Sequence, residues 1–220
     1  MGSVALVFAG GDPPGAGTLR DLPDHDLVIA ADSGLAHANR AGYVVDVVVG
    51  DLDSADPEAV AAATARGAVV ERHAAAKDAT DLELALTAAR DRECSRVVVV
   101  GGHGGRLDHF LANVLLLASP ELSALTIEAR LADARVFVVR DAVDLRGSPG
   151  ELCSLLAVGG AAHGVRTEGL RFPLRGETLY PGSTRGISNE FLDDDAAVSL
   201  DDGALLVVLP HFAPDEEELS

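Results

Sequence analysis

The stretch Val44-Val45-Asp46-Val47-Val48-Val49-Gly50-Asp51-Leu52-Asp53-Ser54-Ala55-Asp56-Pro57 holds three signals in fourteen residues. A β-branched apolar run predicts a strand over 44–49. A glycine and two carboxylates predict a tight polar turn at its end. Asp56 followed by Pro57 predicts the start of a helix, with Gly67 past its end. The result is a strand, an acid-bearing loop and a helix. A strand this continuously apolar is one buried on both faces, as in a parallel sheet covered by helices.

The same pattern recurs on either side of this stretch. A strand over 4–9 runs into Gly10-Gly11, and a strand over 27–31 into Asp32-Ser33-Gly34 and a short helix to Ala41. A strand over 68–72 leads to Lys77-Asp78-Ala79-Thr80-Asp81. There Thr80 and Glu83 have capping-box spacing, and Leu82, Ala85, Leu86 and Ala89 share one helical face. A fifth strand, over 96–100, is followed by the glycines of 101–105 and a helix over 107–118. From about Thr126 the segments become short and strand-like (135–140, 152–158, 196–200, 204–209), with Asp201-Asp202-Gly203 as a hairpin turn signal between the last two. The expected fold is α/β over residues 1–140, a Rossmann-like parallel sheet with helices on both faces. An all-β domain, sandwich- or barrel-like, is expected over 141–220.

Composition narrows the function. In 220 residues, 35 acids against 17 bases give a formal charge of −18, which argues against the basic face that nucleic-acid binding needs. With 48% hydrophobic residues and a mean hydropathy of +0.21 the chain can bury a core. No apolar run approaches the ~18 residues of a membrane span, and no basic segment precedes the short apolar run at 4–9, so a soluble, cytoplasmic protein is expected. Cys94 and Cys153 lack the spacing of a zinc knuckle or disulfide framework. Ten acids and no Lys or Arg fall between Asn189 and Ser220, and the end of that stretch reads as a solvated tail. Sixteen of the 17 bases are Arg; Lys77 is the one lysine.

In an open parallel sheet, ligands bind beyond the carboxyl ends of the strands. Asp32, Asp51, Asp53, Asp78, Asp81 and the 101–109 stretch all fall there. Two carboxylates ~5 Å apart at an effective dielectric of ~20 repel by ~3 kcal/mol, so gathering Asp51, Asp53 and Asp81 calls for a cation between them. An all-oxygen ligand set suits Mg²⁺ or Mn²⁺. Polyphosphate is the natural partner of such an ion. Gly10-Gly11 and residues 101–105 let backbone N–H groups approach phosphate oxygens, with Arg106 and Lys77 supplying positive charge. Neither GxxxxGK[ST] nor GxGxxG is present, so neither a Walker A loop nor a dinucleotide fingerprint is implied.

These residues resemble a known family. Ala31-Asp32-Ser33-Gly34, Gly50-Asp51-Leu52-Asp53-Ser54, Lys77-Asp78-Ala79-Thr80-Asp81-Leu82-Glu83 and Gly101-Gly102-His103-Gly104-Gly105-Arg106-Leu107-Asp108-His109 are similar, in order and spacing, to the motifs of thiamine pyrophosphokinases. Thr167-Glu168-Gly169-Leu170-Arg171-Phe172-Pro173-Leu174 and Gly186-Ile187-Ser188-Asn189-Glu190 resemble that family's thiamine-binding segments. Leu52 stands where the motif commonly has Phe, and Phe172 where some members have Trp. The resemblance implies transfer of a diphosphoryl group from ATP to the hydroxyl of thiamine, leaving AMP. Asp51, Asp53 and Asp81 would be the ligands of Mg²⁺ or Mn²⁺, acting with Lys77 and Arg106 in catalysis. Gly10, Gly11, Asp32, Asp78, Gly102, Gly104, Gly105, Asp108 and His109 would line the ATP side, and Phe172, Ser188 and Asn189 the thiamine side, in a homodimer. Two other functions use the same residues, a Mg²⁺-dependent nucleotide phosphohydrolase and a non-catalytic sensor of nucleotide or thiamine diphosphate.

Overall fold

The structure, a computed structural model, describes residues 2–74 and 79–210; the acidic tail read from the sequence lies outside them. The chain divides into two compact units, Met1–Leu116 with Ala124–Ala132, and Leu117–Ser123 with the residues from Asp133 onward.

The first unit alternates strands and helices: β1 (Ser3–Phe8), α1 (Ala16–Leu19), β2 (Leu27–Ala31), α2 (Gly34–Arg40), β3 (Val47–Gly50), α3 (Pro57–Ala65), β4 (Val69–Arg72), α4 (Asp81–Asp91), β5 (Cys94–Val100), α5 (Leu107–Leu116) and β6 (Thr126–Leu131). The strands lie in the order β6-β5-β1-β2-β3-β4, every neighbouring pair parallel. Residues 5–8 of β1 and 97–100 of β5 have no exposed surface, as their unbroken apolar runs require. Successive side chains alternate between the faces. Leu6, Phe8, Val28, Ala30, Val48, Val98 and Val100 pack with Leu35 and Ala38 of α2 and Val60 and Ala63 of α3. Helix α4 lies against β1, β2, β3 and β5, burying Leu82, Ala85, Leu86 and Ala89.

Local signals place the helices. The Asp56 carboxylate accepts from the Glu58 N–H at 3.0 Å, with Pro57 at the first helical position. The Thr80 hydroxyl accepts from the Glu83 N–H at 3.2 Å. Each such cap stabilises its helix by ~1 kcal/mol. Helix α5 is different: none of its residues is buried, and Leu107, Leu111 and Leu115 form an exposed apolar row.

Among the described residues the second unit is antiparallel β beyond a 3-10 turn at Pro120–Leu122: β7 (Ala134–Val139), β8 (Ala142–Arg146), β9 (Leu152–Ala157), β10 (Ala162–Glu168), β11 (Arg175–Leu179), β12 (Asn189–Glu190), β13 (Asp195–Ser199) and β14 (Leu205–Leu209). Within it the orders are β12-β9-β14-β7 and β11-β10-β13-β8. Leu155, Leu205 and Val207 from the first set and Leu145, Val165 and Val198 from the second share one core, so the unit is a β-sandwich. The Asp201-Asp202-Gly203 turn does not make the expected hairpin. Strands β13 and β14 belong to different sets, and the turn pairs with His163 instead: Asp201 N–H donates to the His163 carbonyl at 2.9 Å, and His163 N–H to the Asp202 carbonyl at 2.8 Å.

Candidate active site at the carboxyl edge of the parallel sheet

Strand β1 has β2 on one side and β5 on the other, so the loops leaving β1 and β5 diverge at a topological switch point. Both are glycine loops, and they touch. The Gly102 N–H donates to the Gly10 carbonyl at 2.9 Å and the Asp12 N–H to the His103 carbonyl at 2.8 Å. Gly11 has φ +104°, and a Cβ there would run into the His103 carbonyl oxygen, so no other residue fits. Asn113 of α5 donates its amide to the Gly102 carbonyl at 3.4 Å. Beneath this junction His37 is buried, with Nδ1 donating to the Ala9 carbonyl at 3.1 Å. His103 Nδ1 is buried with no partner among the described residues.

The acidic residues collect at the ends of β2 and β3. Asp32, Asp51 and Asp53 each offer a carboxylate oxygen, and these three atoms lie within 4.8 Å of one another. Asp32 follows β2 in a left-handed conformation, φ +47°, one that Asp tolerates. Its N–H donates to the Val49 carbonyl at 2.8 Å, fastening the end of β2 to β3. Between Asp51 and Asp53, Leu52 is also left-handed, φ +63°, and is held there because its side chain enters the core beside Val48 and Val60. The Asp53 N–H closes the turn on the Asp51 carboxylate at 3.2 Å. Asp81 arrives from the first turn of α4. A Cβ at Gly50, φ +143°, would lie 3.0 Å from Asp81 Oδ1 and 3.3 Å from the Asp32 Cβ. The sequence grouped Asp51, Asp53 and Asp81; in the structure the three whose oxygens come together are Asp32, which the sequence had set on the ATP side, Asp51 and Asp53, with Asp81 across Gly50 from them.

Asp32 is 8% exposed and its Oδ1 has no hydrogen-bond partner among the described residues. Burial, the largest cause, pushes its carboxyl pKa up; the Ser33 N–H opposes this, and the charges of Asp81, Asp51 and Asp53 add to it. A buried, unpaired carboxylate oxygen facing other carboxylates fits a hard divalent cation such as Mg²⁺ or Mn²⁺.

Of the cations read from the sequence, Lys77, with its neighbour Asp78, lies outside the described residues. Arg106 forms a two-pronged pair with Asp108, Nε–Oδ1 3.1 Å and Nη2–Oδ2 2.5 Å, on the exposed first turn of α5. The pair holds the Asp108 carboxyl down at about 2. His109 is exposed on the same turn.

In the second unit, Phe172 is 53% exposed on a loop whose backbone is held by Asn189. The buried Asn189 amide accepts from the Phe172 N–H at 2.9 Å and the Glu190 N–H at 3.0 Å, and donates to the Phe172 carbonyl at 2.8 Å. Ser188 is exposed at φ +56°, with its N–H on the Ser154 hydroxyl at 3.0 Å. Asn189 thus spends its polar atoms on presenting Phe172.

Comparison with known proteins agrees along the chain. Residues 20–129 match the family model "Thiamin pyrophosphokinase, catalytic domain", and residues 142–205 match "Thiamin pyrophosphokinase, vitamin B1 binding domain". The chain is 28% identical over 189 residues to the thiamine pyrophosphokinase of Bacillus subtilis (strain 168), covering 84% of this chain and 87% of that one. A crystal structure of thiamine pyrophosphokinase from Bacillus subtilis superposes with a TM-score of 0.80 at 25% identity, over 96% of this chain and 99% of that one. Yeast thiamin pyrophosphokinase shares the fold, with a TM-score of 0.71 at 16% identity over 94% of this chain and 86% of that one. With one family model spanning half the chain and its companion much of the rest, the protein belongs to the thiamin pyrophosphokinase family.

Proposed function

We propose that this chain is a thiamine diphosphokinase that moves a diphosphoryl group from ATP to the hydroxyl of thiamine, with Mg²⁺ or Mn²⁺ as its ion. The hydroxyl oxygen bonds to the β-phosphorus, the bond from that phosphorus to the α–β bridging oxygen breaks, the hydroxyl proton is lost, and AMP leaves with the bridging oxygen. The observation that carries this reading is the buried Asp32 Oδ1, without a partner among the described residues, beside Asp51, Asp53 and Asp81 at the ends of β2 and β3. A divalent ion bound there would supply Lewis-acid charge neutralisation for the phosphate chain. Asp32, Asp51 and Asp53, with Asp81 beside them, would hold it.

The remaining groups bind and orient. Gly10, Gly11, Gly102, Gly104 and Gly105 form the two loops assigned to the phosphate side, with Asp78, Asp108 and His109; the space beside Gly105 is open, whereas Ser33, His103 and Asp12 fill that beside Gly10, Gly11 and Gly104. Arg106 and Lys77 add positive charge in a protein of net charge −18. Phe172 offers an exposed ring for the thiamine heterocycle, and Ser188 directly precedes Asn189, which holds the Phe172 loop. The reading includes a homodimer; the exposed row of Leu107, Leu111 and Leu115 supports it, and light scattering should give about twice the 22.6 kDa of one chain.

Incubation with ATP, Mg²⁺ and thiamine, followed by mass spectrometry, tests the reaction. AMP formed only with thiamine present is expected. Phosphate released without thiamine would mean a hydrolase, and no turnover a sensor. Asp53→Asn should abolish turnover while leaving cooperative melting intact; near-wild-type activity would reject the carboxylate assignment.

A further inference from the structure

Strand β6 carries two buried charges, which its residue pattern alone does not announce. Glu128 and Arg130, two apart and so on the same face of the sheet, are 2% and 3% exposed. Arg130 Nε donates to Glu128 Oε1 at 3.1 Å, and Arg96 of β5 donates to Glu128 Oε2 at 3.1 Å. A buried ion pair is weak evidence of stability, because apolar side chains of the same volume commonly do as well. The rest of the Arg130 guanidinium points to a different use. It donates to the carbonyls of Arg20 and Thr18 through Nη1, and to that of Asp21 at 3.0 Å through Nη2. The Thr18 hydroxyl returns a bond to the Ala132 carbonyl at 2.9 Å. Residues 18–21, the far half of the β1–β2 connection, are thereby pinned to the carboxyl end of β6. The near half is pinned to the β5 glycine loop through Gly10 and Asp12. The Arg130 carbonyl completes the circuit by accepting from the Gly101 N–H at 3.1 Å.

We infer that Arg130, oriented by Glu128, is a positioning residue for the nucleotide: it fixes the β1–β2 connection against the 101–105 loop, so that the two loops hold their shape before the phosphate chain arrives. The inference rests on the proposed nucleotide site. Arg130 itself, its donors committed to Glu128 and three carbonyls, does not touch phosphate.

Two variants test it, Arg130→Met and the double variant Glu128→Leu/Arg130→Met. The double variant leaves no buried charge unpaired and so keeps the fold. Affinity for a Mg²⁺-bound, non-cleavable α,β-methylene ATP is measured by calorimetry, which needs no turnover. Both variants should bind it at least about tenfold more weakly, since small displacements of a preset site are costly. Amide hydrogen exchange should rise across residues 12–21 and fall less than in the wild type when nucleotide is added. In turnover, KM for ATP should rise while KM for thiamine and kcat stay within about twofold. Wild-type nucleotide affinity in the double variant would overturn the positioning role and leave the proposed reaction standing. Tight nucleotide binding by the wild type without AMP formation would overturn the reaction and leave the positioning role standing. Failure of the wild type to bind the analogue would overturn the positioning role.

Discussion

At the residue scale, the most consequential side chain is Asp32, buried among like charges with one oxygen unpaired. Its carboxyl pKa is raised in the fold, so the native state holds that proton more tightly than the unfolded chain does. Stability from this group is therefore fully present below the ordinary Asp range and is lost as pH climbs through the raised value. Asp32→Asn keeps the left-handed backbone and the oxygen that accepts from Ser33, and removes the charge. Without metal at pH 7 it should melt ~2–4 °C higher than the wild type, about 1 kcal/mol, and the gap should close by pH 3.5. Added Mg²⁺ should raise the melting temperature of the wild type and not of the variant. A second contrast separates Phe172 from Asn189. Phe172→Ala removes an exposed ring and should leave melting nearly unchanged while raising KM for thiamine. Asn189→Ala removes a buried amide and leaves part-buried backbone groups of Phe172 and Glu190 without it, and should cost ~1–2 kcal/mol in denaturant unfolding, with KM for thiamine rising as well.

At the scale of elements, the helix starts were legible because their signals are local: Asp56-Pro57 and Thr80-x-x-Glu83 cap their own helices whatever surrounds them. The strands were legible because burial on both faces leaves an unbroken apolar run. Two things were hidden for the converse reason. Strand β6 reads as polar, with Glu128 and Arg130 in its middle, and only its neighbours show that these charges satisfy one another. The crossing from β13 to β14 looks like a hairpin because Asp-Asp-Gly favours a turn but does not say which strand the turn will pair with. The acidic loop was half legible. Its carboxylates stood out, but joining Asp32 to Asp51 and Asp53 needs the left-handed backbone at Asp32 and Leu52, which side-chain identity alone does not announce. Leu52 anchors that loop, so Leu52→Ala should lower stability by ~2–4 kcal/mol in denaturant unfolding and weaken Mg²⁺ binding, although the side chain carries no charge.

At the scale of the whole molecule, a net charge of −18 would repel the proposed nucleotide substrate until it came close enough to meet the local cations. Salt should therefore help: at saturating Mg²⁺, kcat/KM for ATP is expected to rise roughly two- to threefold between ~10 and ~150 mM NaCl, as the Debye length shrinks from ~30 to ~8 Å. A fall in stopped-flow or steady-state rates over that range would show that nearby positive charge, not the molecule's overall field, governs the encounter.

The central position of β1 has a consequence for biosynthesis. Its two partners are β2, immediately downstream, and β5, where Ser3 meets Cys94 about ninety residues later. At ~5–20 residues per second on the ribosome, one side of β1 waits about 5–18 s for its mate, an open edge of Val4, Leu6 and Phe8 exposed to any passing strand. The glycine junction at Gly10 and Gly102 cannot close before that interval ends, so the edge where the proposed nucleotide site lies is unfinished until the fifth strand is made.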